Sequence, residues 1–112
     1  MNTEALHAAQ DIYDALQMLS HAKTQILTER ARVDALEMQY RSLVESNRFL
    51  QANGLPPKEG EARIQISKGA WDHARESYAE AMVSYHAAYA HYDKTVAEGS
   101  QHLTTLPDGM KL

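Results

Sequence analysis

The chain of 112 residues contains no cysteine. That excludes disulfides and thiolate metal sites without identifying a compartment. Proline and glycine are scarce, three and five in all, and none occurs before Gly54. Nothing in the first half is therefore a strong helix breaker. Long apolar runs are missing too. The longest, Ala87-Ala88-Tyr89-Ala90, is far too short to span a bilayer. The opening MNTEALHAAQ lacks the basic and then apolar regions of a secretory signal. A cytoplasmic location with no membrane association is the expectation. A basic face is absent as well: the net charge of −4 argues against direct binding of nucleic acid.

Catalytic signatures are equally sparse. No serine sits in an elbow motif, and the glycines at 54, 60, 69, 99 and 109 are too scattered for a phosphate loop. Paired carboxylates such as Glu76 and Glu80 read as exposed helix neighbours rather than an acid–base pair. The histidines are His7, His21, His73, His86, His91 and His102, with no HExxH among them. His7, Asp11, Asp14 and His21 share a helical stripe that could hold a divalent metal. Two turns separate Asp14 from His21, however, so a solvated polar face is the favoured reading. No enzyme activity, metal or cofactor is expected.

What the sequence does have is heptad order. From Ser67 to Glu98, position a reads Trp71, Tyr78, Tyr85, Tyr92 and position d reads Ala74, Ala81, Ala88, Thr95. Ser67 suits an N-cap and Gly99 a stop, which predicts a helix over 67–98. Met82, Tyr89 and Val96 form a further apolar column beside that seam. An earlier helix is predicted over about 3–52, capped by Thr3 and ended by Asn53-Gly54 before Pro56-Pro57. Its position a is Ala5, Ile12, Leu19, Ile26, Val33, Tyr40, Asn47, and its position d is Ala8, Ala15, Ala22, Glu29, Leu36, Leu43, Leu50. Residues 53–66 read as a loop in which Ala62, Ile64 and Ile66 alternate like a short strand. Those isoleucines tuck over the bundle end or, as the sharper reading, form an edge for a partner strand. Residues 99–112 form a tail with a turn signal at Pro107-Asp108-Gly109 and with Leu103, Leu106, Met110 and Leu112 as docking candidates.

Together these predict a single all-α domain, an antiparallel hairpin of a long and a shorter helix. Symmetry about the loop sets the expected register: Trp71 by Leu50, Tyr78 by Leu43, Tyr85 by Leu36, and Tyr92 donating a hydrogen bond to Glu29. The reciprocal layer puts Ala74 by Asn47 and Ala81 by Tyr40. In that register about 20 residues of the first helix lack a partner, an overhang of ~30 Å. It would carry Leu6, Ile12, Tyr13, Leu16 and Leu19. Such a stripe should not stay exposed, so a four-helix bundle completed by homodimerisation is expected. A break at Ser20-His21, folding residues 3–19 back as a third helix, is the alternative.

Tyr89-Ala90-His91-Tyr92-Asp93 fits a Y-x-x-x-D pattern. With the helical hairpin, it resembles the small WXG-type substrates of type VII secretion systems, which would imply a secreted hairpin. The W-x-G turn of that family is absent: Trp71 is followed by Asp72-His73, and the turn reads NGLPPKEG. The leading expectation is a non-enzymatic interaction protein that binds another protein, as an adaptor, chaperone or phage-type inhibitor. Its binding surface would be Leu6, Ile12, Tyr13, Leu16, Leu19, Met82, Tyr89 and Val96. The seam Trp71, Tyr78, Tyr85, Tyr92, Leu36, Leu43, Leu50 and Glu29 would form the core. The competing class is an oligomeric small-molecule or nucleotide binder with an intersubunit pocket of Tyr and His.

Overall fold

Two helices, α1 (Thr3–Ala52) and α2 (Lys58–Leu103), make up the computed structural model, which describes residues 3–54 and 58–103. The Pro56-Pro57 pair and the tail residues Leu106, Met110 and Leu112 with the turn at 107–109 lie outside the described residues, as does the side chain of Leu103. No helix among the described residues is long and apolar enough to cross a membrane. Helix α1 is continuous through Ser20-His21, where Thr24 Oγ1 donates to the Ser20 carbonyl at 3.0 Å. It ends on Gly54, whose φ of 80° is the left-handed geometry that glycine adopts without a Cβ penalty. There the Gly54 N–H donates to the Gln51 carbonyl at 3.0 Å.

Helix α2 starts nine residues before Ser67 and continues past Gly99 to Leu103. The apparent strand alternation at 62–66 gives way because the heptad extends backwards through it. Gly60, Ile64, Ser67, Trp71 and Ala74 follow the alternating four- and three-residue spacing of a helical seam. Ser67 is buried within α2 rather than capping it, whereas Ile66, off the seam, is exposed. The edge-strand reading is therefore replaced by helix. Glu61 falls in the first turn of α2, at the favourable end of its dipole.

The chain divides into two compact units, Met1–Gln25 with Met82–Leu112, and Ile26–Ala81. In the second unit the two helical segments form an antiparallel hairpin. Tyr40 stacks on Trp71 with ring centroids 5.4 Å apart, and Gly60 lies against the Asn47 side chain. In the first unit a Cβ at Gly99 would stand 2.8 Å from Ile12 Cδ1, and His102 Nδ1 lies 3.6 Å from Glu4 Oε2.

These contacts correct the expected register by about ten to fourteen residues. Trp71 meets Tyr40, not Leu50, and Asn47 meets Gly60, not Ala74. Leu50 is exposed, and the Glu29 Oε2 atom is buried with no hydrogen-bond partner, so the expected phenol donor does not reach it. The overhang disappears as well, since the last turns of α2 lie beside the first turns of α1 within the first unit. Ile12 and Leu19 are half-buried there. The physical reason is the longer α2: starting at Lys58, it leaves a short connection that brings Gly60 opposite Asn47.

Small residues make the core. Every buried apolar residue among those described is alanine: Ala5, Ala8, Ala15, Ala22, Ala74 and Ala88. Trp71, Tyr78, Tyr85, Tyr92, Leu36 and Leu43 are half-buried. Among the described residues no large side chain is fully enclosed. Complete burial of one Leu or Phe is worth ~1.5–3 kcal/mol, so each isolated pair of segments forgoes much of the hydrophobic stabilisation its residues offer.

Candidate protein-binding surface

The first unit carries the more continuous apolar face. Leu6, Ala9, Tyr13 and Leu16 recur at three- and four-residue spacing, which places them along one side of α1. All four are exposed, Leu6 at 54% and Tyr13 at 57%. Alanines at 5, 8, 15 and 22 occupy the side that packs on α2, so the larger residues necessarily point elsewhere. Of the other sequence candidates, Ile12 lies against Gly99, and Met82 and Val96 are half-buried. Tyr89 is 48% exposed and its ring lies tilted against that of Tyr85, with centroids 6.3 Å apart. The structure thus brings Leu6, Tyr13 and Leu16 together on one stripe and turns Ile12 and Leu19 inward.

A shallow polar groove of the same unit is lined by Glu4, His7, Asp11, Thr95, Glu98 and His102. Among the described residues no group of three or more His, Asp or Glu is arranged to hold a metal ion. Asp14, a member of the stripe weighed as a metal site, accepts a hydrogen bond from Gln10 Nε2 at 2.9 Å. An open groove offers an ion or small molecule little enclosure, whereas small-molecule sites bury most of their ligand.

The second unit has its own polar irregularities. Trp71 lies between Tyr40 and the Arg75 guanidinium, which sits 4.2 Å from the ring centroid. That cation–π contact is shared with a hydrogen bond from Arg75 to Asp72. The Trp71 Nε1 and the Ser67 Oγ are buried without hydrogen-bond partners. Ser67 also lines an open groove with Gln39, Leu43, Arg63 and Ile66.

Three exposed residues of this unit escaped the sequence reading: Leu27, Met38 and Phe49. Their signal is a spacing of eleven, invisible when the helix is read in sevens because they fall outside both seam columns. No protein-family model, characterised protein or solved structure matches the chain.

Proposed function

We propose that the protein is a non-enzymatic helical interaction module that binds another protein, and that it works as a homodimer whose four helices complete the bundle. The observation that carries this reading is the mismatch between what is buried and what is not. Among the described residues the enclosed apolar ones are alanines, while Leu6, Tyr13, Leu16 and Tyr89 stand exposed. Tyrosine and leucine placed on a rigid helical face are suited to anchoring a protein partner.

The test is affinity capture from the source cell with quantitative mass spectrometry, alongside native mass spectrometry of the purified protein. The expected result is a specific protein retained by the wild type and lost by the double variant Leu6→Glu, Tyr13→Glu with helicity unchanged. A stoichiometric small molecule on the purified protein, with no captured protein sensitive to that variant, would sink the reading. It would favour the intersubunit pocket instead.

A further inference from the structure

We infer that two copies of this chain associate through the outer face of α1 in the second unit, antiparallel and centred on Met38. The inference rests on the homodimer reading and names a contact surface for it, one that sets the helices side by side, α1 against α1, rather than around a common core. Leu27, Met38 and Phe49 are exposed at 61%, 71% and 69%. Their eleven-residue spacing is close to three helical turns, so the column runs nearly along the helix axis over ~33 Å. Seam residues of α1 that pack on α2 in this unit, such as Tyr40 and Asn47, occupy the opposite side.

Equal spacing makes the column complementary to itself. A two-fold axis through Met38 sets that residue against its own copy and sets Leu27 against Phe49 of the partner subunit twice over. The small residues Ala31 and Ser42 lie between the anchors, leaving room for helices to approach. Charge decides the direction. Asp34 and Glu45 lie on the column, with Arg30 and Arg41 on one flank, all four exposed. Antiparallel pairing brings Arg41 beside Asp34 of the partner subunit and Arg30 beside Glu45 of the partner subunit. A parallel pair would face Asp34 with Asp34 and Glu45 with Glu45, which is repulsive. Arg41 already bonds Glu37 on its own helix at 2.7 Å, and its five donors leave capacity for a second carboxylate.

With no native cysteine, single thiols test the register cleanly. Light scattering on the wild type comes first, with a dimer expected. Under mild oxidation Met38→Cys should link at least tenfold faster than Val83→Cys, a control at a residue 70% exposed in the first unit. A mixture of Leu27→Cys and Phe49→Cys should form the mixed disulfide in preference to either self-linked product. Met38→Lys, a substitution on an exposed helical site, should yield a monomer of unchanged helicity. A dimeric wild type in which Met38→Cys links no faster than Val83→Cys overturns this surface and leaves the homodimer standing. Self-linking of Leu27→Cys in preference to the mixed product overturns the antiparallel direction. A wild type that is monomeric at every concentration overturns both the surface and the homodimer.

Discussion

At a d position of the α1 heptad, Glu29 holds its Oε2 where neither solvent nor a donor reaches it. A buried acceptor left unpaired costs ~1–3 kcal/mol, more than most surface interactions return. Glu29→Leu keeps the volume and removes the acceptor, and should stabilise the fold by ~1–2 kcal/mol in urea denaturation. A destabilised variant would mean that the carboxylate is satisfied in solution. Trp71 offers the opposite case within the same unit. Its Nε1 gains no hydrogen bond, so the residue acts through its ring, between Tyr40 and Arg75. A double-mutant cycle of Tyr40→Ala and Trp71→Ala should therefore give a coupling of ~0.5–1.5 kcal/mol. Additive losses would remove the stacking contact and with it the register that the contact defines.

Helix α2 contains three glycines whose surroundings differ, and this turns element stability into a comparison. A Cβ at Gly69 would meet nothing within 4 Å, whereas one at Gly60 would run into the Asn47 side chain. Gly69→Ala should stabilise α2 by about 0.8–1 kcal/mol through propensity alone. Gly60→Ala should destabilise, and Asn47→Ala introduced beside it should recover much of the loss; thermal melts of the four proteins check both. These same positions explain which parts of the architecture were legible in the sequence. Helical content was, because seven-residue order at Ala5 to Leu50 and Trp71 to Thr95 fits one periodicity only. The start of α2 was not. Ile64 and Ile66 alternate as a strand does, and only the continuation of the seam through Gly60 and Ser67 distinguishes the two. Register followed from that boundary: with the loop taken as 53–66, Trp71 falls beside Leu50, and with the helix beginning at Lys58 it falls beside Tyr40. The exposed stripe of Leu6, Tyr13 and Leu16 was recognised on sequence, though for an overhang that the longer α2 removes. Leu27, Met38 and Phe49 stayed hidden because an eleven-residue column leaves no trace in a heptad frame.

A chain whose enclosed apolar residues, among those described, are all alanine has two ways to reach the usual stability of a folded domain. It can rely on helix propensity and on many half-buried contacts, in which case each unit stands without a partner. Alternatively, association supplies the missing burial, and folding becomes inseparable from protein concentration. The two differ in one observable. For a monomer the melting temperature is the same at 1 µM and 100 µM. For a dimer that unfolds to two free chains, that hundredfold range is worth ~2.7 kcal/mol per dimer. With an unfolding enthalpy of ~0.7 kcal/mol per residue over both chains, the midpoint should rise by ~6 °C. Circular dichroism melts across the range make the measurement directly. Met38→Lys should flatten the dependence and bring the midpoint at 100 µM down towards the dilute wild-type value, because the exposed outer face of α1 contributes to stability only through the second copy. A concentration-independent midpoint in the wild type would mean that the paired segments fold unaided, with Leu27, Met38 and Phe49 left as ordinary surface residues.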